Sequence, residues 1–289
     1  MVTLRRTPLL PCLLLSAILV LLVLVVWLPQ GDVSDCDPAH FPCGTTYRKK
    51  PPLVAKEGLE FGRDSPLIKE CPGQSFQAWR LLHFLKSSVS IGDDVLLEPY
   101  LQSWDQLIIF MESLGPVVSF FSQKVSDKVA LIRRLARQHQ ERGSEGGQAY
   151  HSLSSMVEAE QKHGVVHFSR RTDSGCRTLL RLHRSLLWLA LTLNGLTHMP
   201  DKQGRLKTPG ELSREAYRVA LAPHHSWVLR QAAELVFLAL PDRNHFLRLV
   251  CVQSQQEAEP VLRTLIHALQ LVHGRTQLIL EQNGMLDLP

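Results

Sequence analysis

The chain has 289 residues, of which 45% are hydrophobic and 20% charged, with a formal net charge of +5 and a sequence pI near 9.0. This composition excludes a wholly disordered chain and is sufficient for one large folded domain or two small ones. The positive charge suits anionic partners, namely a membrane surface, a phosphorylated ligand or nucleic acid, and does not distinguish among them.

The first predicted element is an apolar segment within residues 1–30 that is long enough to cross a membrane. From Pro8 to Leu28 it has no charged residue, and at about 1.5 Å per helical residue it spans roughly 30 Å, one hydrocarbon thickness. Arg5 and Arg6 precede it and aspartates follow, so the positive-inside bias predicts a cytosolic N-terminus and a lumenal or extracellular remainder. The Leu28–Gly31 stretch matches a cleavage site poorly, so we favour an uncleaved anchor over a cleaved signal peptide.

Residues 31–75 are expected to form a linker. The stretch contains six prolines and several glycines, and its apolar residues show no sustained periodicity. Cys36 and Cys43 lie close together in it and would form a local disulfide in an oxidising compartment, while the pairing of the later cysteines stays open. The run from Cys36 to Cys43 supplies only three soft metal ligands, so we expect no zinc site there.

Residues 76–289 are predicted to form a single all-α domain of seven to nine helices. Apolar residues recur at helical spacing from Phe76 onward, and no alternating strand pattern of useful length interrupts them. Gly115–Pro116 indicates a break between two helices. Ser254 and Glu257 have the spacing of a capping box, in which a hydroxyl and a carboxylate satisfy free amides at a helix start.

Lys124 and Lys128 are the first candidate binding residues along the chain. They are one helical turn apart, and Asp127 is three residues from Lys124, so these side chains can pair on a helix surface. They form either a surface salt bridge or, together with other cations, a set of donors to a phosphate. A phosphate in a partly dry pocket requires several such donors.

Arg177, Arg181 and Arg184 follow at positions i, i+4 and i+7, which places all three on one stripe of a helix. Their helix is rich in leucine and is therefore expected to be largely buried. From the spacing alone, the stripe is either an anion clamp or the solvated face of this helix.

His224 and His225 stand just before Trp227, at the start of another apolar helix. A lone histidine is usually structural, although an imidazole can also donate a hydrogen bond to a ligand carbonyl. Tryptophan is favoured at the headgroup level of a bilayer. We therefore expect Trp227 to contact an anionic membrane surface, together with the basic pair Arg170 and Arg171.

The sequence lacks the motifs of several enzyme and nucleic-acid-binding classes. It has no G-x-S-x-G elbow, no H-E-x-x-H pair, no Walker-type phosphate loop and no G-x-G-x-x-G fingerprint. Its basic residues form no recognisable nucleic-acid module, and its aromatic residues stand within apolar helical runs. We therefore expect neither a catalytic residue, nor a cofactor or metal, nor a nucleic-acid partner.

Four segments carry a resemblance to a known family: Leu114-Gly115 with Phe120–Lys128, Ser174–Arg184, Tyr217–Trp227 and Leu286–Pro289. They closely resemble the ceramide-1-phosphate transfer protein branch of the glycolipid transfer protein family, and the similarity runs in order over roughly residues 90–289. The resemblance implies a two-layer all-helical sandwich that encloses an apolar slot for lipid chains. A polar site at the mouth of the slot would hold the headgroup and the amide.

The resemblance also assigns roles to individual residues of this chain. Arg177, Arg181 and Lys128 match the phosphate-binding cations of the family, and His225 matches the histidine that bonds the ceramide amide carbonyl. Arg181 stands where glycolipid-specific members have a tryptophan that stacks on sugar. The implied function is a carrier that binds one sphingolipid with a phosphate headgroup and moves it between membranes, without covalent chemistry.

Two features depart from the family pattern. The family's aspartate, which accepts a hydrogen bond from the sphingoid amide, aligns with Lys124, and the nearest acid is Asp127. A lysine only donates, so either Asp127 replaces that acceptor or the site tolerates lipids without the amide.

The N-terminal apolar segment is the second departure, because the resembling carriers are cytosolic. A cytosolic carrier and a membrane-tethered lipid sensor or presenter remain alternatives. A lipid-modifying enzyme would have only His225 and Asp127 as an acid–base pair.

Overall fold

The computed structural model of the protein describes residues 68–89, 92–141, 148–169, 172–198, 200 and 202–289. These residues form nine α-helices and one 3-10 helix, with two isolated β-bridges and no strand, which confirms the predicted all-α domain. The α-helices are α1 (Ala78–Ser88), α2 (Leu97–Glu112), α3 (Pro116–Glu141), α4 (Leu153–Lys162), α5 (Gly175–Leu196), α6 (Pro209–Ala220), α7 (Trp227–Ala239), α8 (Arg243–Leu249) and α9 (Gln255–Gln282). The 3-10 helix spans Ala222–His224.

Several sequence predictions concern residues outside this described part. They are the apolar segment from Pro8 to Leu28, the Cys36–Cys43 pair, most of the linker, and the basic residues Arg170 and Arg171. Among the helices that are described, none is both long enough and apolar enough to cross a membrane. The anchor therefore stays a prediction from the sequence.

Helix α5 is the central helix of the domain. It contacts α3, α4, α6 and α9. Of its 22 residues 15 are buried, which agrees with the burial expected from its leucine content. Gly195 allows α6 to approach closely, because a Cβ at this position would lie 2.5 Å from Cδ2 of Leu212. Around this helix, α1 packs on α2 and α9, and α2 packs on α3.

The two helix boundaries singled out in the sequence have different outcomes. Gly115, in the short turn after α2, lies in the left-handed region with φ +109°, and Pro116 is the first residue of α3, as predicted. Ser254 caps α9 by accepting a hydrogen bond from the amide of Glu257 at 3.3 Å. The predicted capping box is wrong in its second half, because the Glu257 carboxylate accepts from the amide of Gln253, one residue before the cap.

A disulfide links the segment that precedes α1 to the segment that follows α8. Cys71 and Cys251 form a disulfide across a sequence separation of 180 residues. Cys71 is fully buried and Ile68 is 9% exposed, although both belong to the stretch expected to be linker. The Gln74 side chain donates to the backbone carbonyl of Arg248 at 2.8 Å. The disulfide therefore makes this segment part of the helical unit.

Candidate functional site

The start of α5 is fixed by a buried carboxylate, which sequence reasoning missed. Glu160, near the end of α4, accepts from the Ser174 hydroxyl at 2.6 Å and from the Gly175 amide at 2.5 Å. It also accepts from the Cys176 amide at 3.2 Å and from the Tyr150 hydroxyl at 2.7 Å. These donors and the positive end of the helix dipole compensate the burial of the charge. Glu160 thereby sets the position of the arginine stripe on α5.

Arg177, the first arginine of the stripe, is buried. Only 3% of the residue is exposed. Its guanidinium donates to the backbone carbonyls of Thr172 at 3.1 Å and of His167 at 2.5 Å. Arg177 therefore holds both flanks of the stretch that carries Arg170 and Arg171. Its headgroup role stays a prediction, and the two carbonyls already occupy part of its donor set.

Arg181 and Arg184 lie further along α5, where both contact the segment 285–289. Arg181 donates to the Pro289 carbonyl at 3.2 Å, and Arg184 donates to the Leu286 carbonyl at 2.7 Å. Burial, followed by the charge of Arg181, lowers the pKa of the Arg184 guanidinium. The two side chains are therefore close enough to repel each other, and the stripe is more than a solvated helix face.

Lys128 adds a cation from α3 to this region. Its ammonium donates to the backbone carbonyl of Lys124 at 3.0 Å. Burial, followed by the charge of Arg181, lowers the pKa of Lys128 to about 8. An anion placed beside Lys128 and Arg181 would relieve this repulsion, so the pair favours binding of an anionic group.

Lys124 and Asp127 form an exposed ion pair on α3. Their side chains are 54% and 55% exposed, and the ammonium lies 3.8 Å from the carboxylate. Asp127 also accepts a hydrogen bond from the Gln123 side chain at 3.1 Å. Such a surface pair contributes little to stability. The negative charge of Asp127 raises the pKa of Lys128, so this carboxylate acts electrostatically on the neighbouring cation.

His225 is held by Tyr217, a residue to which the sequence assigned no role. The Tyr217 hydroxyl lies 2.9 Å from Nδ1 of His225. Burial raises the pKa of Tyr217 to about 12, so its hydroxyl keeps its proton. Burial, followed by the charge of His224, lowers the pKa of His225 to about 4, so the ring is neutral at pH 7. In the tautomer in which the hydroxyl donates to Nδ1, the ring proton is on Nε2, and that nitrogen can donate to a ligand carbonyl.

These groups converge from three elements of the fold. The pKa of His225 is also lowered by Lys128 and Arg184, and that of His224 is lowered by burial and then by Arg184. We call this cluster the cationic mouth; it consists of Lys128, Arg181, Arg184, His224 and His225. The structure thus brings together three predicted site residues that are distant in sequence, namely Lys128, Arg181 and His225. The Arg177 guanidinium instead bonds the carbonyls of His167 and Thr172.

An apolar cavity lies beside the C-terminal half of α5. It has a volume of about 20 Å³ and is lined by leucine, phenylalanine and valine side chains from α1, α2, α5, α8, α9 and their flanking residues. Leu189 and Leu193 on α5 line it, and they lie about 12 and 18 Å beyond Arg181 at the rise of an α-helix. One helix therefore connects the cationic mouth with the apolar interior.

Trp227 begins a helix that is apolar and largely unburied. Trp227 is 71% exposed, and Leu238 near the other end of α7 is 75% exposed. Only Ala232 and Phe237 of the 13 residues of α7 are buried. Exposed apolar surface of this extent is typical of a binding surface.

Comparison with known proteins identifies the family. The family model described as Glycolipid transfer protein (GLTP) matches residues 95–252, more than half of the chain. The chain is 36% identical over 207 residues to the human ceramide-1-phosphate transfer protein, and the match covers 71% of this chain and 92% of that protein. The chain therefore belongs to the glycolipid transfer protein family, and its similarity to the ceramide-1-phosphate transfer protein branch confirms the sequence resemblance.

Solved structures agree with this assignment. The crystal structure of the human ceramide-1-phosphate transfer protein with 12:0 ceramide-1-phosphate has a TM-score of 0.65 at 35% identity, covering 72% of this chain and 97% of that chain. The fungal glycolipid transfer protein HET-C2 has a TM-score of 0.54 at 19% identity, covering 68% of this chain and 92% of that chain. The second likeness concerns the fold alone.

Proposed function

We propose that this protein is a lipid carrier that binds one sphingolipid with a phosphate headgroup and moves it between membranes. The observation that carries the proposal is the cationic mouth, connected by α5 to an apolar cavity. A phosphate monoester bears close to two negative charges at pH 7, so it suits a site with several cationic donors. Relatives named for ceramide-1-phosphate transfer support a carrier rather than a tethered sensor.

Binding is the whole of the proposed mechanism. Each chain methylene left in water costs about 0.8 kcal/mol, so a two-chain lipid leaves a bilayer very slowly without a protein that shields its chains. Lys128 and Arg181 pair with the phosphate, and Nε2 of His225 donates to the amide carbonyl. No bond of the lipid is made or broken.

The apolar cavity has to widen before it can hold a chain. Its 20 Å³ is roughly the space of a single water molecule, far less than one acyl chain occupies. The lining side chains are leucines, phenylalanines and valines, which separate without leaving polar groups unpaired. The lipid chains themselves then replace the contacts that the side chains lose.

The exposed start of α7 is the proposed membrane contact. Trp227 stands two residues after His225, so a bilayer that contacts its ring lies close to the cationic mouth. Arg170 and Arg171 join this contact in the proposal, because Arg177 fixes the chain on either side of them. Trp227→Ala should weaken sedimentation with anionic vesicles, and unchanged sedimentation would contradict this assignment.

The test of the carrier proposal compares two headgroups. The full chain is mixed with donor vesicles that contain ceramide 1-phosphate or glucosylceramide, and the appearance of lipid in acceptor vesicles is followed. Ceramide 1-phosphate should move faster, because Arg181 stands where the glycolipid-specific members have a sugar-stacking ring. Equal or faster movement of glucosylceramide would contradict the proposal.

The helical domain is proposed to lie on the lumenal or extracellular side of a membrane. Arg5 and Arg6 before the apolar segment support this orientation, and the Cys71–Cys251 disulfide is typical of an oxidising compartment. A C-terminal tag in intact microsomes should resist added protease until detergent is present. Digestion of the tag before detergent would favour the cytosolic alternative.

A further inference from the structure

The Cys71–Cys251 disulfide lies at the end of the apolar cavity that is far from the cationic mouth. Cys251 directly follows Val250, which lines the cavity. Phe76, which also lines the cavity, lies five residues after Cys71. The cavity-lining Leu196 on α5 is four turns beyond Arg181, about 22 Å at the rise of an α-helix. The Leu196 carbonyl accepts hydrogen bonds from the side chains of Arg243 and Gln255, which stand on either side of Cys251 in the sequence. The disulfide therefore joins two walls of the cavity near Leu196, the end that we call the deep end.

Three aromatic rings that line the cavity pack against each other beside the elements joined by the disulfide. The ring centroids of Phe76 and Phe110 are 5.1 Å apart, and those of Phe110 and Phe246 are 5.9 Å apart. Phe76 belongs to the segment that follows Cys71, and Phe246 belongs to α8, which ends just before Cys251. A lipid chain that reaches deeper has to part these rings, and parting the outer two separates the elements that the disulfide joins.

A further contact holds the same two elements together, because the Gln74 side chain donates to the Arg248 carbonyl at 2.8 Å. Within the first element, the Gln77 side chain donates to the Cys71 carbonyl at 2.7 Å and fixes the cysteine's backbone. Cys251 has a φ of +57°, in the left-handed region that residues other than glycine rarely adopt. Reduction would free Cys251 to leave this conformation, so the two walls would lose more than a covalent bond.

We propose that the Cys71–Cys251 disulfide determines which acyl chains the protein accepts, by fixing the depth of the apolar slot. With the disulfide intact, the three phenylalanine rings stop the acyl chain of the lipid. Without the disulfide, the two cavity walls separate and longer acyl chains enter. This inference rests on the proposed lipid-carrier function. It concerns the length of the chain, whereas the cationic mouth concerns the headgroup.

The test is a competition among chain lengths. Vesicles containing equal amounts of 12:0, 16:0 and 24:0 ceramide 1-phosphate are offered to the tagged full chain, and the extracted lipids are measured by mass spectrometry. The ratio of 24:0 to 12:0 lipid should rise in the double variant Cys71→Ser/Cys251→Ser. Each further methylene that enters the slot is expected to raise this ratio roughly fourfold.

Three comparisons protect the test against misfolding. Cys36→Ser/Cys43→Ser removes another cysteine pair and should leave the ratio unchanged; the same shift in this control would overturn the proposal. The wild-type chain is also measured before and after treatment with a dithiol, which reduces the disulfide to two thiols and is itself oxidised. Reduction should raise the ratio of 24:0 to 12:0 lipid as in the double variant, and reoxidation should reverse the rise. Phe110→Leu, with the bond intact, should also raise the ratio.

The outcomes separate the two proposals. If wild type extracts 12:0 ceramide 1-phosphate and the ratio is the same with and without the disulfide, the chain-length inference is wrong and the carrier function stands. If wild type extracts none of the three lipids, the carrier function fails and the inference fails with it. Two freely reactive thiols at Cys71 and Cys251 in the purified, unreduced protein would also overturn the inference.

Discussion

The cationic mouth and the deep end of the cavity are built in opposite ways. The mouth consists of partly exposed cations from α3 and α5 beside two histidines, and burial, followed by the charge of Arg181, lowers the pKa values of Lys128 and Arg184. The deep end consists of buried rings packed against each other and joined by a disulfide. Binding of an anionic ligand relieves the repulsion between the charges of the mouth. Entry of a lipid chain, in contrast, disturbs the packing of the rings at the deep end. Substitutions in the two regions should therefore separate ligand binding from folding stability.

The largest expected effect is on stability, at the deep end. Phe246 is 6% exposed and contacts Phe110, so Phe246→Ala should lower the free energy of unfolding by about 3–5 kcal/mol. Urea denaturation of the full chain measures this change. Leu238→Ala, at a residue that is 75% exposed, is the matched control and should change stability by less than about 0.5 kcal/mol. Similar losses in both variants would contradict the described packing.

The second effect is on binding, at the mouth. Arg181→Leu removes a charge-assisted donor and should weaken binding of ceramide 1-phosphate by about 1.5–3 kcal/mol, roughly 10- to 150-fold. The thermal unfolding midpoint should stay close to that of wild type, because Arg181 is only partly buried. Arg263→Leu, which breaks an exposed ion pair with Glu259, should leave binding unchanged. Loss of binding in both variants would indicate a general charge effect rather than a site.

The third effect depends on pH. The pKa of Lys128 is about 8 in the folded protein, and the phosphate of the ligand stays doubly ionised above pH 7. As the pH rises past 8, ligand binding therefore takes up a proton at Lys128. Affinity for ceramide 1-phosphate should fall by at most about tenfold per pH unit above pH 8. Lys128→Arg keeps its charge and should bind equally well at pH 7 and pH 9. A wild-type affinity that is flat over this range would contradict the role of Lys128.

The same shift predicts the reverse trend for folding. A lysine whose pKa is lower in the folded state binds fewer protons there than in the unfolded chain, so its contribution to stability rises with pH between about 8 and 10.4. Below pH 8 the buried charge is a cost. Lys128→Met should therefore be at least as stable as wild type at pH 7 while it loses headgroup binding, and a clear loss of stability would contradict this reading.

The smallest effect concerns selection of the amide. Lys124→Asp restores a hydrogen-bond acceptor, so it should increase the preference for ceramide 1-phosphate over phosphatidic acid by about 0.5–1.5 kcal/mol. Competitive extraction of the two lipids measures this preference. If wild type already rejects phosphatidic acid and Asp127→Ala removes that rejection, Asp127 is the acceptor and our interpretation of Lys124 is wrong.

The sequence predicted the features of this fold that depend on local patterns. Helical spacing of apolar residues indicated the all-α domain, and Gly115–Pro116 marked a boundary because the turn chemistry is contained in two residues. The stripe of Arg181 and Arg184 followed from 3.6 residues per turn. The family resemblance, rather than any pattern, selected an anion clamp over a solvated helix face.

The features that the sequence missed depend on contacts between distant residues. Glu160 looks like one more acid on an exposed helix, and only the packing of α4 against α5 turns it into a buried cap. Tyr217 meets His225 because the 3-10 helix folds the chain back between them. The spacing that placed Arg177 on the stripe does not show that its guanidinium bonds the carbonyls of His167 and Thr172.

The long separation of the two bonded cysteines affects how the protein is made. Cys251 is synthesised 180 residues after Cys71, which at about 5–20 residues per second is roughly 10 to 40 s later. During that interval Cys36 and Cys43 are nearer to Cys71 along the chain, so an oxidising environment exposes the early thiols to wrong pairing. The correct partner arrives only after α8 has emerged. We therefore expect this bond to close after most of the helices are in place, with a disulfide isomerase correcting chains in which Cys71 has paired too early.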